Sequence, residues 1–320
     1  MNAPHSSSQM RRLALYLQSM YPPAIYIPAG IASYLAVSLG LQALAGEGPL
    51  HLTWRTAPGA TSLVLLSLLL RIYDELKDYE TDLRLGQAGD PRYQNRPIVT
   101  GAVTLADIHV LRWGVTGMVI ALNLPLGFPL PLAAFFLVFG LYWCSFHWFF
   151  YPPISKNLIL AFITHNPLAL VAGGYVLSIH LADFGAAGLE PLPVIYLLVG
   201  LWMPVAAWET SRKIRLPEDE TDYETYSKVL GWKVAAVIPA IFVALSVAAL
   251  ALTSSQTGLG PYFPIAITLS GALAVGACLR LRLSPSQKRT QLRPYMELHS
   301  VVTSVGLVIA LWLNRGIETF

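Results

Sequence analysis

The sequence predicts an all-α, polytopic membrane protein, a bundle of about nine transmembrane helices. Three observations carry that expectation. Hydrophobic residues make up 55% of the 320-residue chain and charged residues only 12%, against roughly a quarter charged in a soluble domain. The mean hydropathy is +0.55. Apolar runs long enough for a bilayer core, which takes about 20 residues per helix, recur along the whole chain.

These runs lie near 23–46, 57–79, 104–126, 129–150, 157–181, 191–213, 229–253, 261–283 and 293–314. Pro, Gly and charge separate them, the punctuation that ends membrane helices. No soluble domain and no short-period repeat interrupts the series, so residues 1–320 read as a single transmembrane domain. The opening MNAPHSSSQMRRLALYLQSMYPP has neither the apolar core nor the small-residue cleavage site of a signal peptide. It reads as a short cytoplasmic tail. Cys144 and Cys278 both sit in apolar runs, which argues against a disulfide framework and a thiolate metal site. A net charge of +3, scattered among helix ends, excludes no membrane role but gives a nucleic-acid partner no footing.

Basic residues set the direction of insertion. The tail holds Arg11 and Arg12. The second connection and its flanks hold Arg71, Lys77, Arg84, Arg92 and Arg96, and the fourth holds Lys156. The sixth holds Arg212, Lys213, Arg215, Lys228 and Lys233, and the eighth Arg280, Arg282, Lys288, Arg289 and Arg293. Only Arg55 and Arg315 fall on the other side, with Arg112 inside the third span. The N-terminus and the even connections are therefore expected in the cytoplasm, and the C-terminus opposite.

Two stretches carry more charge than topology requires, and charge near a membrane needs a reason. Arg71-Ile-Tyr-Asp-Glu-Leu-Lys-Asp-Tyr-Glu-Thr-Asp82 continues the second apolar run without a break. On a persisting helix Glu75, Asp78 and Asp82 fall at i, i+3 and i+7 on one face, and Asp74 joins Asp78 at i+4. Carboxylates gathered on one face repel one another unless a cation sits among them. Mg²⁺ takes oxygen ligands, typically one or two carboxylates plus substrate phosphates. The functional reading is a Mg²⁺–diphosphate site at the cytoplasmic mouth of the bundle; the plainer one is a solvated helix end paired with Arg71, Lys77 and Arg84. The second stretch, Trp208 to Asp222, sets Glu209 one turn from Arg212 and Lys213, with Glu218, Asp219, Glu220 and Asp222 after Pro217. Here Glu209 is a candidate metal ligand, and Arg212, Lys213 or Arg215 a candidate phosphate donor; ordinary ion pairs are the alternative. Both clusters lie at cytoplasmic helix ends, so the expectation is that they serve one substrate.

Smaller signals fit the same chemistry. Asn95-Arg-Pro97 follows the acidic stretch and offers Arg96 as a charge-assisted donor to a diphosphate, and Tyr151-Pro-Pro-Ile-Ser-Lys156 offers Lys156. Phe135, Phe139, Tyr142 and Phe146 form one helical stripe in the fourth span. Such a stripe is ordinarily bundle core or an interface belt; its functional reading is a tunnel wall for an isoprenoid chain, with Phe139, Tyr142 and Phe146 facing an allylic cation. His165, Asn166, Glu297 and His299 read as polar groups at depth that join helices by hydrogen bonds.

The order of these features resembles the UbiA-type intramembrane prenyltransferase superfamily. Those proteins have nine spanning helices and an Asn-Asp-x-x-Asp-x-x-x-Asp motif ending the second. Asp74-Glu75-x-x-Asp78-x-x-x-Asp82 keeps that spacing, Arg96-Pro97 looks like the family's downstream Arg-Pro, and Tyr151-Pro152-Pro153-x-x-Lys156 looks like its element after the fourth span. The second family motif, Asp-x-x-x-Asp, departs: the matching place reads Glu209-x-x-x-Lys213, and Glu218-x-x-x-Asp222 is a displaced alternative. The resemblance implies an enzyme that binds an isoprenyl diphosphate through Mg²⁺ and basic residues and transfers the prenyl group to an aromatic or lipid acceptor. On that reading Glu75, Asp78, Asp82 and Glu209 hold metal, Asp78, Glu209 and Lys213 are catalytic, and Arg96, Lys156, Arg212 and Arg215 bind diphosphate. The altered second motif leaves a terpene cyclase of the same superfamily as the alternative. A small-solute transporter is weaker, because transporters tend to place such groups near the midplane, whereas these lie at one side.

Overall fold

Each apolar run is helical in the computed structural model, which describes residues 8–221 and 223–319. The elements are α1 (Gln9–Met20), α2 (Pro23–Ala45), β1 (Leu50–Leu52), α3 (Thr56–Lys77), α4 (Tyr79–Gln87), α5 (Leu105–Asn123), α6 (Leu130–Phe146), α7 (Leu158–His165) and α8 (Leu168–Phe184). They continue with α9 (Pro191–Ser211), α10 (Tyr226–Leu230), α11 (Trp232–Ala235), α12 (Ile238–Thr257), α13 (Tyr262–Leu283), α14 (Arg293–Arg315) and β2 (Ile317–Thr319). Among the described residues, 8 helical segments are long and apolar enough to cross a membrane. The remaining apolar run, 129–150, folds as α6, a helix of 17 residues. The protein is an all-α, multi-pass membrane protein.

Three expectations change. The supposed tail is the helix α1. The second apolar helix does break: α3 ends at Lys77 and Asp78 leaves helical geometry at φ −96°, ψ 1° before α4 begins. The break is shallow, because Asp78 N–H still donates to Asp74 C=O at 2.9 Å and Asp82 N–H to Asp78 C=O at 2.8 Å. The i→i−4 ladder therefore carries the acidic spacing across the kink. Glu297, expected at depth, lies one turn inside α14 with its side chain 45% exposed.

The helices fall into two compact units, Met1–Ile31 with Ala57–Phe150, and Ala32–Thr56 with Tyr151–Phe320. In unit one, α5 starts with a capping box in which Thr104 Oγ1 accepts from Asp107 N–H and Asp107 accepts from Thr104 N–H, satisfying two orphan donors of the first turn. Lower in the unit, buried Asn123 donates to Ser62 Oγ at 2.8 Å, joining α5 to α3.

In unit two, α9 and α12 approach closely at Gly200, where a Cβ would stand 2.7 Å from Leu250 Cγ. Ser246 Oγ donates to the Gly200 carbonyl at 2.8 Å across the same contact. Small residues allow this kind of backbone approach inside membranes. His299 of α14 is fully buried and bridges Ser270 of α13 and Ser246 of α12, at 2.9 and 3.3 Å. It is the interhelical link its position predicts. Asn166, at the break before Pro167, accepts the Trp202 indole N–H at 2.9 Å. At the far helix ends, β1 and β2 pair in parallel, Leu50 opposite Ile317.

Candidate active site

The acidic motif of unit one is built by α3 and α4. Glu75 sits in the last turn of α3 and is 1% exposed, Asp82 in the first turn of α4 and 4% exposed. Acids suit that turn because unpaired helix N–H groups give it positive character. Three of the four carboxylates meet a cation, each differently. Arg71, one turn before Glu75, donates to Glu75 Oε2 at 2.5 Å. Glu75 Oε1 is buried and has no hydrogen-bond partner. Asp82 pairs with Arg96. Asp74 pairs with Lys77 at 2.9 Å, and Lys77 in turn lies 4.3 Å over the Trp148 ring. Asp78 makes no side-chain bond at the cap. Burial pushes the Asp78 carboxyl up to about 6, with Lys77 opposing and Asp74 and Asp82 assisting. It does the same to Asp82, where Arg96 opposes and Glu75 assists.

Arg96 reaches Asp82 because the chain after α4 turns back tightly over Gly86. A Cβ there would stand 2.4 Å from Val99 Cγ1 and 3.3 Å from the Tyr93 carbonyl. The returning loop holds Tyr93 beneath the Arg96 guanidinium, 4.3 Å from ring to charge, so the guanidinium plane is oriented on both sides. In the aromatic stripe, Phe135 and Tyr142 are buried in the unit, which matches core packing. Phe139 is half-buried beside Phe135 at 5.9 Å. Phe146 is half-buried, stacked 4.9 Å from Tyr73, with Arg112 5.9 Å from its ring.

The second motif solves its electrostatics without help. At the end of α9, Glu209 Oε2 accepts from Arg212 at 2.8 and 2.7 Å, and Glu209 Oε1 meets Lys213 Nζ at 2.9 Å. Both carboxylate oxygens are thereby taken by cations of the same chain segment. Burial works against the Lys213 ammonium, but Glu209 outweighs it and holds Lys213 above its ordinary range. Trp208 is flanked by Arg212 at 4.6 Å and Arg293 at 5.7 Å, and its indole N–H donates to Glu297 at 3.2 Å. Arg215 turns instead toward Thr221, 2.8 Å away. Asp222 of the displaced alternative lies outside the described residues. Lys156 is exposed at the rim of a shallow cleft of about 360 Å³ shared with Asn157, Glu224 and Val229.

Among the described residues no group of three or more His, Cys, Asp or Glu side chains forms a ready-made metal cage. Mg²⁺ does not ask for one, since substrate phosphates and water complete its octahedron. The first motif fits such an ion: Glu75 Oε1 is a hard oxygen donor without a partner, and Asp78 adds another carboxylate beside it in sequence. The second motif fits one poorly, because Glu209 has no oxygen to spare. Two groups that sequence reasoning missed lie in unit one. Asp107 is 1% exposed and binds Arg12 in a bidentate pair, 2.7 and 2.8 Å. Tyr16 is fully buried, and its hydroxyl has no partner.

The chain matches the UbiA prenyltransferase family model over residues 33–301. Among solved structures it is similar to the apo structure of a UbiA homologue from Aeropyrum pernix K1, 20% identical, covering 90% of this chain and 98% of that one with a TM-score of 0.62. It is also similar to a structure from work on digeranylgeranylglyceryl phosphate synthase in membranes, 15% identical, covering 94% and 100% of the two chains with a TM-score of 0.57. At these identities the likeness speaks for the fold alone. No curated protein is significantly similar in sequence. The family match spans most of the chain and takes in both charged motifs, and the chain belongs to the UbiA prenyltransferase family.

Proposed function

We propose that this protein is a Mg²⁺-dependent membrane enzyme that ionises an isoprenyl diphosphate and transfers the prenyl group to an aromatic or lipid acceptor. The observation that carries the reading is Glu75, a carboxylate buried at the end of an apolar helix with one oxygen left unmatched. A buried carboxylate needs its oxygens hydrogen-bonded as well as its charge paired, and Arg71, which pairs the charge, bonds only one of the two oxygens. In the reaction the allylic C–O bond breaks and its electron pair leaves with the diphosphate; an acceptor nucleophile then bonds to the carbon and loses a proton. When bound, Mg²⁺ neutralises charge on the departing diphosphate. Glu75, Asp78 and Asp82 would hold the ion, Asp78 being the one without an ion pair of its own. Arg96, already oriented by Tyr93, donates to diphosphate oxygens, a preorganised charge that needs no rearrangement as the bond breaks. In unit two, Glu209 fixes Arg212 and Lys213; on the transferase reading Lys213 stands where the family's second acid is expected, and Arg212, Arg215 and Lys156 are that unit's candidate phosphate donors. The half-buried Phe139 and Phe146 line the path of the prenyl chain and exclude water, which would quench the cation, while Tyr142 packs as core. The basic residues around these groups assign the site, and the N-terminus with it, to the cytoplasmic face.

A second reading, intramolecular cyclisation of the prenyl chain, is favoured by the Glu209–Lys213 pair standing where a transferase of this family is expected to carry two acids. Purified protein given Mg²⁺ and isoprenyl diphosphates of several lengths separates the two. Turnover that requires an added aromatic or lipid supports transfer, whereas a hydrocarbon formed without any acceptor supports cyclisation. Asp78→Ala is expected to abolish either activity while the protein still folds. Full turnover in that variant removes the metal site from the first motif.

A further inference from the structure

Two buried polar atoms in unit one lack partners and belong to neighbouring groups: the Tyr16 hydroxyl and Glu75 Oε1. Tyr16 comes from α1, a helix that the sequence disguises as a tail. Arg12, Leu13, Tyr16 and Leu17 share its inner face, while Met10 and Leu15 face outward, 76% and 40% exposed. Arg12 clamps this face to the start of α5 through Asp107. One turn further on, Tyr16 lies where the charges of Arg71, Glu75, Asp74 and Arg96 all act on its hydroxyl. A phenol titrates at about 10 even in water, so the hydroxyl is protonated and a donor at physiological pH.

A buried hydroxyl without a partner forfeits a hydrogen bond's worth of stability, and nothing else in α1 calls for one here, since a phenylalanine would fill the same space. The occupant that satisfies both orphan atoms must accept a hydrogen bond from a phenol and present a cation or a donor to a carboxylate. A metal-bound diphosphate does both. We propose that Tyr16 is a substrate-binding residue whose hydroxyl donates to a diphosphate oxygen, and that α1, held by the Arg12–Asp107 pair, exists to deliver it. The proton stays on the phenol throughout; the residue stabilises the leaving group by hydrogen bonding and forms no covalent bond. This rests on the diphosphate reading of the first motif and extends it to an element outside the motif.

The test measures binding of inorganic diphosphate in Mg²⁺, and kcat and KM with an isoprenyl diphosphate, for the parent, Tyr16→Phe and Arg12→Ala. Thermal stability without ligand is followed in parallel. A lost hydrogen bond to a charged group corresponds to roughly a 10- to 100-fold drop in affinity, which is expected for Tyr16→Phe toward both inorganic and prenyl diphosphate, with ligand-free stability held. Arg12→Ala leaves the phenol intact but loosens α1, so a several-fold loss of the same kind is expected, and it carries the test should Tyr16→Phe fail to fold. Parent-like diphosphate affinity and turnover in both variants overturn the proposal. So does a change confined to thermal stability, which marks a water-bridged structural tyrosine. If the parent itself binds no Mg²⁺–diphosphate, the functional reading fails, and that result is distinct from either.

Discussion

Replacing Lys213 by Asp turns the self-compensated second motif into one that needs an outside cation. In the parent, Lys213 Nζ stands 2.9 Å from Glu209 Oε1, with the two side chains 17% and 21% exposed. At that distance and an effective dielectric near 20, unit charges attract by about 6 kcal/mol. Most of this is offset by the loss of water around both groups. Exposed pairs are worth up to about 1 kcal/mol, and breaking a buried pair costs about 3–5; side chains roughly four-fifths buried fall between, at about 2–3 kcal/mol. A new aspartate at i+4 from Glu209 adds repulsion of a few tenths. Lys213→Asp should therefore melt earlier than the parent in metal-free buffer. The two carboxylates then form a cation site, and Mg²⁺ at about 100 times its Kd returns some 2.7 kcal/mol. Thermal melts in detergent with and without Mg²⁺ read this directly, as an Mg²⁺-dependent rise larger than the parent shows from its first motif. Activity separates the two functional readings: a transferase tolerates the change, whereas an enzyme that uses the ammonium for diphosphate release loses turnover. A variant that melts at the parent's temperature without metal, with an Mg²⁺-dependent rise no larger than the parent's, would refute the argument that Lys213 stands where a metal would otherwise be needed.

Two further outcomes follow from the geometry. Asp78 and Asp82 are both pushed up to about 6 by burial, and only the deprotonated carboxylates bind metal; Mg²⁺ affinity should be full above about pH 7 and fall as pH drops through 6, and a flat profile from pH 7 to 5, followed by calorimetry, contradicts it. Gly200→Val drives a side chain into Leu250, whose Cγ is 2.7 Å from where a Cβ would lie; overpacking of this kind costs about 1–3 kcal/mol and should lower the melting temperature while leaving Mg²⁺ affinity at the first motif unchanged.

The parts legible in the sequence were those governed by local periodicity. Nine apolar runs became helices because in a bilayer the backbone polar groups can bond only one another, and the acids at 75, 78 and 82 kept their shared spacing because the i→i−4 ladder survives the kink. The pairing of Glu209 with Arg212 and Lys213 was implicit in offsets of three and four. What escaped was set by contacts far apart in the chain. α1 contains Gln9, Arg11, Arg12 and Gln18 and resembles a polar tail; its helical face has meaning only once Asp107, 95 residues away, is known to hold Arg12. Glu297 was placed at depth because a charge inside an apolar run looks buried, yet it sits one turn from the helix start with Arg293 at 2.7 Å. Tyr16 carried no signal at all, since one tyrosine in an amphipathic segment is ordinary.

The two motifs thus differ in the one respect that bears on chemistry. Both place acids at a helix end beside guanidinium groups, and by composition they look alike. In the second, each carboxylate oxygen of Glu209 meets a cation three or four residues on, and no acidic oxygen of that residue is left over. In the first, Arg71 satisfies one oxygen of Glu75, Arg96 satisfies Asp82, and a buried carboxylate oxygen and a buried phenol are left over. Unsatisfied buried polar groups are rare in folded proteins because each forfeits stability. The proposed ligand would satisfy both of these atoms at once. One atom accepts or binds a cation and the other donates; a metal-bound diphosphate offers both complements, a bridging water does so too, and the diphosphate affinity of Tyr16→Phe separates the two.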